Sequence, residues 1–115
     1  MKVSHIHVTV RDLEAAVSWF RSVLEVTPGF RDERMAELQL GRLGLVLDEG
    51  PADSQATIAL ASSDCDADYA HLLRRGADTL EPPDDRPWGT RAAYLKGPGA
   101  ITIEIDQPLS GRIPD

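Results

Sequence analysis

The stretch Lys2-Val3-Ser4-His5-Ile6-His7-Val8-Thr9-Val10-Arg11-Asp12 decides how the rest of the chain reads. Over residues 2–10 it alternates strictly. Ile6, Val8 and Val10 fall on one face, and Val3, His5, His7 and Thr9 on the other. A side-chain period of two is that of a β-strand with one buried face. Asp12 stands where a helix N-cap belongs, because its carboxylate can accept from the free N–H groups of a first turn. Behind it, Leu13, Ala16, Val17, Phe20 and Leu24 recur at helical spacing. The pattern predicts an amphipathic helix over about 12–25, closed by Thr27-Pro28-Gly29.

Outward from this unit, residues 30–48 read as two or three short strands, with 35–40 and 43–48 separated by a turn around Gly41. Residues 49–54 are a loop by composition. The second half repeats the plan. A β-compatible run over 57–61 precedes Ser62-Ser63-Asp64 as a cap, and a helix carrying Tyr69, Leu72 and Leu73 runs to Gly76, a C′ residue suited to positive φ. Residues 81–87, rich in Pro and Asp, read as an exposed loop. Strands over 91–96 and 101–106 then flank a Gly97-Pro98-Gly99 turn.

The two halves match at their openings and closings. Asp12 matches Asp64 and Phe20 matches Leu72, while Leu45-Val46-Leu47-Asp48 matches Ile101-Thr102-Ile103-Glu104. Each half therefore reads strand, helix, then about three strands. A half of about 50 residues buries its helix and sheet poorly alone, so two halves are expected to form one structural domain. The expected boundaries are 1–50, 51–106 and a flexible C-terminal tail over 107–115.

Composition narrows the function classes. The chain has 115 residues, 42% hydrophobic and 27% charged, as expected of a globular domain. Its net charge of −7 repels phosphate backbones and anionic headgroups, so nucleic acid and membrane surfaces are poor partners. No apolar run approaches the roughly 20 residues of a spanning helix. The single cysteine, Cys65, rules out a disulfide within the chain and suits a reducing cytoplasm. It sits just inside a helix start, where the dipole lowers a thiol pKa; without an identifiable histidine partner it reads as structural. The opening residues carry no apolar signal-peptide core, so a cytoplasmic location is expected.

The opening His5-Ile6-His7-Val8-Thr9-Val10-Arg11-Asp12, with Ala16-Val17-Ser18-Trp19-Phe20 and Val23-Leu24, resembles that of the vicinal oxygen chelate superfamily. This superfamily includes glyoxalase I, bleomycin-resistance proteins and extradiol dioxygenases. The closing Gly97-Pro98-Gly99-Ala100-Ile101-Thr102-Ile103-Glu104 is similar to its final turn and strand, keeping the proline and the glutamate. Pro87-Trp88-Gly89 also resembles the approach to that strand. The resemblance implies an α+β, glyoxalase-like fold, in which two βαβββ modules form curled mixed sheets around a cavity. It also implies a homodimer. In metal-using members four ligands come from the first and last strands of the modules, positions that fall here on His5, Asp48, Thr57 and Glu104.

Strand alternation puts His5, Asp48 and Glu104 opposite their aliphatic neighbours, and a histidine with two carboxylates is a ligand set for nickel, manganese, iron or zinc. Two features depart from the pattern. Thr57 offers only a neutral hydroxyl, and Asp48 is a methylene shorter than the usual glutamate. His5 therefore reads either as a metal ligand or as a histidine that hydrogen-bonds a ligand or neighbour. His7, on the same face, reads as pocket lining. Glu104, between Ile103 and Ile105, needs a partner if buried and is a candidate general base or metal ligand. Thr57, Trp88 and Arg91 complete the candidate ligand contacts: Trp88 as an aromatic in a mobile loop, and Arg91 either as a planar donor to an anion or as a surface strand arginine.

Two functions follow. The first is a protein of the bleomycin-resistance type that sequesters a small organic ligand in the cavity between modules without a metal. The alternative is a divalent-metal-dependent lyase, isomerase or dioxygenase using His5, Asp48 and Glu104.

Overall fold

The computed structural model describes residues 1–109. The chain divides into two compact units: Met1–Ala56 with Pro98–Ala100, and Thr57–Gly97 with the segment from Ile101 onward.

The first unit carries β1 (His5–Val10), α1 (Leu13–Val23), β2 (Phe30–Arg31), β3 (Met35–Leu40) and β4 (Leu43–Glu49). Its sheet runs β1-β4-β3-β2, with β1 and β4 parallel and the other pairs antiparallel. α1 lies against this sheet and buries the apolar stripe Leu13, Ala16, Val17, Phe20 and Val23. Asp12 caps it, accepting from the Ala15 N–H at 2.9 Å. The helix ends before the expected Thr27-Pro28-Gly29. Glu25 adopts φ 59°, and the Val26 N–H bonds back to the Phe20 carbonyl at 3.1 Å. A glutamate thus holds the left-handed position more often given to glycine.

The second unit carries β5 (Ala56–Ala61), α2 (Cys65–Arg74), β6 (Asp78–Asp85), β7 (Thr90–Lys96) and β8 (Ile101–Pro108). Its sheet runs β5-β8-β7-β6, the same order as in the first unit. Asp64 caps α2 through the Ala67 N–H, repeating the role of Asp12. Gly76 turns the chain out of the helix at φ 105°. The repeated β-α-β-β-β plan is therefore present in both sheets, as the matching halves predict.

One segment corrects the sequence reading. Residues 81–87 do not form a loop, because most of them belong to β6, which pairs antiparallel with β7. Pro82 and Pro83 are tolerated since β6 is an edge strand whose register shifts between Thr79 and Glu81 and again between Glu81 and Asp84. At the other end, β8 reaches Pro108, so Gln107 and Pro108 of the expected tail are strand. Leu109 follows, its N–H bonded to the Gly89 carbonyl at 3.1 Å, and residues 110–115 of that tail lie outside the described residues.

Alternation assigns each strand two faces. In β8, Ile101, Ile103 and Ile105 are buried, while Thr102, Glu104 and Asp106 are partly exposed. In β4, Leu45 and Leu47 are fully buried and Asp48 is partly exposed. The aliphatic sides form the cores under α1 and α2, leaving the opposite faces for polar groups.

Candidate functional site

In the first unit, β1 turns His5 and His7 away from the face of Val8 and Val10. Pairing sets His5 beside Gly44, His7 beside Val46 and Thr9 beside Asp48. Asp48 lies one step diagonally from His7, and its Oδ2 is 2.7 Å from His7 Nδ1. His7 Nε2 is 3.0 Å from His5 Nε2, and His5 Nδ1 is 2.8 Å from Ser4 Oγ. Four side chains thus form one continuous hydrogen-bonded line. Its Ser4 end opens on a cleft of about 340 Å³, lined also by Glu37, Gln39, Gly44 and Val46. Glycine at 44 makes room for this arrangement, since a Cβ there would stand 3.0 Å from both the His5 Cβ and the Ser4 carbonyl oxygen.

In the second unit, the face away from α2 carries a different set. Tyr94 pairs directly with Glu104 and Ala92 with Asp106. Arg86, in the turn after β6, donates from Nη2 to the Ala92 carbonyl at 3.0 Å. Its guanidinium carbon lies 5.3 Å from the Tyr94 ring centroid, a cation–π contact. Among the described residues, three buried polar atoms on this side have no protein hydrogen-bond partner: Arg86 Nε, Thr90 Oγ1 and Asp106 Oδ1. Burial pushes the Glu104 carboxyl above its usual range, with the Asp106 charge acting the same way, while the Tyr94 hydrogen bond and Arg86 oppose them. Burial also raises the Tyr94 phenol, helped by Glu104.

The structure brings together His5, His7 and Asp48 and sets Glu104 beside Tyr94 in the second unit. Thr57 is exposed on β5, opposite the buried Ile58. Trp88 is 57% exposed in the β6–β7 turn. Arg91 does not match the expected role of donor to an anionic ligand. It lies on the side of α2, donates through Nε and Nη2 to both Asp66 oxygens at 2.8 and 3.0 Å, and through Nη1 to Asp85 at 3.0 Å. Those carboxylates hold its pKa well above the ordinary value. Cys65 is buried, in keeping with a structural role, and burial raises its thiol pKa where the helix start alone would lower it.

The residues present do not fit the four-ligand metal centre that the resemblance implies. One of the four positions is the neutral Thr57 hydroxyl, His5 directs Nε2 at His7, and Asp48 Oδ2 is taken up by His7. Among the described residues, no group of three or more His, Cys, Asp or Glu side chains is placed to hold a metal ion.

Sequence reasoning missed Ser4, Tyr94, Arg86, Thr90 and Asp106. Strand alternation carries a signal for Tyr94 and Asp106, which share a face with Glu104. Arg86 carries none, because its aim depends on the β6–β7 turn.

Two sheets of identical strand order, each with one capped helix, define a paired βαβββ architecture. The sequence model described as "Glyoxalase/Bleomycin resistance protein/Dioxygenase superfamily" matches residues 2–105, and the chain belongs to that superfamily. Solved structures agree in fold. A glyoxalase/bleomycin resistance protein/dioxygenase from Nocardioides is 24% identical, with a TM-score of 0.86 over 100% of this chain and 88% of that one. A bleomycin resistance determinant encoded on the transposon Tn5 is 20% identical, with a TM-score of 0.76 over 94% and 98%. A lactoylglutathione lyase from Agrobacterium tumefaciens is 15% identical, with a TM-score of 0.77 over 92% of each chain. No helix among the described residues is long and apolar enough to cross a membrane.

Proposed function

We propose that this chain binds a small organic ligand non-covalently, in the manner of a sequestering or resistance protein, and that the second-unit face around Tyr94 contacts it. The observation that carries this reading is the set of buried, unpartnered atoms Arg86 Nε, Thr90 Oγ1 and Asp106 Oδ1. Buried polar atoms rarely go without partners, so such a cluster points to a polar guest. Together the three offer a donor, a hydroxyl and an acceptor, while Tyr94 supplies an aromatic wall stacked on Arg86. The ligand that suits them is an aromatic or cationic organic molecule with both donor and acceptor groups. Trp88, two residues beyond Arg86, is a convenient reporter. The same reading takes a homodimer as the working state, which sedimentation of the purified chain checks.

The alternative, a divalent-metal-dependent lyase, isomerase or dioxygenase, draws support from Glu104, a partly buried carboxylate with a raised pKa. It lacks support from Thr57 and from the engagement of His5 and Asp48 with His7. The deciding experiment screens aromatic and cationic compounds against a Trp19→Phe background, reading Trp88 fluorescence and thermal stability. Saturable binding that weakens at least about tenfold in both Tyr94→Ala and Arg86→Ala supports the proposal. Binding indifferent to both substitutions, or no binding across the panel, overturns it.

A further inference from the structure

We propose that Ser4 is a nucleophile toward activated acyl carbons, served by His5 as its base and by His7 and Asp48 as positioning residues. The activity belongs to the first unit and goes beyond ligand binding in the second.

Donor counting along the line fixes its direction. An ionised carboxylate has only acceptors, so His7 Nδ1 carries the hydrogen and donates to Asp48 Oδ2 at 2.7 Å. A neutral imidazole then has Nε2 as its acceptor, so His5 Nε2 must donate across the 3.0 Å gap. That leaves His5 Nδ1 as an acceptor, and the Ser4 hydroxyl, 2.8 Å away, donates to it. With both rings neutral, one proton arrangement satisfies all three bonds, and it points a free imidazole lone pair at a serine hydroxyl. A nucleophile bonded to a base, itself oriented by a further group, is the constellation that activates serine on unrelated folds.

The surroundings admit a substrate. Ser4 and His5 line the cleft of about 340 Å³, and Gly44 removes the side chain that would otherwise crowd them. In the reaction, the Ser4 Oγ–acyl carbon bond forms while the hydroxyl proton passes to His5 Nδ1. The ester carbon–oxygen bond then breaks, and the leaving oxygen takes that proton. Water repeats the sequence on the acyl-serine, releasing the acid and restoring Ser4. The substrate class is an ester with a good leaving group.

The test treats the full chain with a fluorophosphonate probe and with 4-nitrophenyl acetate, mapping adducts by peptide mass spectrometry. Expected is modification at Ser4, absent in Ser4→Ala and slowed about 100-fold in His5→Ala. Asp48→Asn keeps the shape but lets the side-chain amide donate to His7 Nδ1, which reverses every bond in the line and turns His5 Nδ1 into a donor. Modification should then slow by about tenfold or more. Nitrogen NMR of the imidazoles should show hydrogen on His7 Nδ1 and His5 Nε2 in the native chain, and on the opposite nitrogens in Asp48→Asn. A serine that merely packs would show the ring reversal but no adduct for it to slow. No adduct at Ser4, equal rates in Asp48→Asn, or native rings in the opposite tautomers overturns the proposal.

Discussion

Tyr94 and Glu104 stand directly opposite each other across β7 and β8, and the phenol holds down the pKa of the carboxyl it faces. That effect of Tyr94 works against a larger rise from burial. Tyr94→Phe should therefore move the Glu104 titration further upward, as carboxyl carbon NMR would record. An unchanged Glu104 titration would refute the coupling.

The raised Glu104 pKa also sets a pH dependence of stability. A carboxyl whose folded pKa exceeds its ordinary 4.5 binds its proton more tightly when folded. Its stabilising contribution is complete below that value and is lost as pH rises through the folded pKa. Glu104→Gln removes this loss. Urea unfolding should favour the variant at about pH 7, with the difference closing near about pH 4. A gap that widens toward acid would contradict the sign.

Gly44→Ala should destabilise the first unit. The new methyl meets the His5 Cβ and the Ser4 carbonyl oxygen, each at 3.0 Å, and the oxygen is backbone. Overpacking of this kind costs about 1–3 kcal/mol. The denaturation midpoint should fall with an unchanged slope, and Ser4 should lose its reactivity toward the acyl probe.

Glu25→Gly should stabilise. Glu25 sits at φ 59° past α1, where a side chain clashes with its own backbone and glycine does not. The net gain is about 0.5–1 kcal/mol after glycine's larger entropy loss. A variant no more stable than the parent would mean that other contacts of Glu25 compensate.

Arg91→Lys keeps the charge and loses the planar fork that spans both Asp66 oxygens. The melting temperature should fall, most clearly at low salt, while binding at the Tyr94 face stays unaltered. Impaired binding would return Arg91 to the ligand site.

The fold was legible where periodicity was strong. The alternation from His5 to Val10, the Asp12 and Asp64 caps and the aliphatic pattern of Ile101, Ile103 and Ile105 each have one structural solution. β6 was hidden because Pro82 and Pro83 suppress the strand pattern, and only its place at a sheet edge makes them acceptable. The face of Arg91 was hidden for a related reason. Ala92 and Ala93 are both buried, so apolar alternation in β7 does not say which parity turns toward α2. Parity did place His5, His7 and Asp48 on one side. It held no information on ring rotation, which decides whether they converge on an ion or bond to one another.

The strict two-sidedness of β8 has a bearing on how such a chain diversifies. Its odd positions, Ile101, Ile103 and Ile105, answer to packing, and its even positions, Thr102, Glu104 and Asp106, answer to whatever the face meets. A single-codon change at an even position rewrites recognition while the helix-bearing side keeps its cohesion. Inheritance can thus explore chemistry along one set of alternate residues and leave the scaffold to the other.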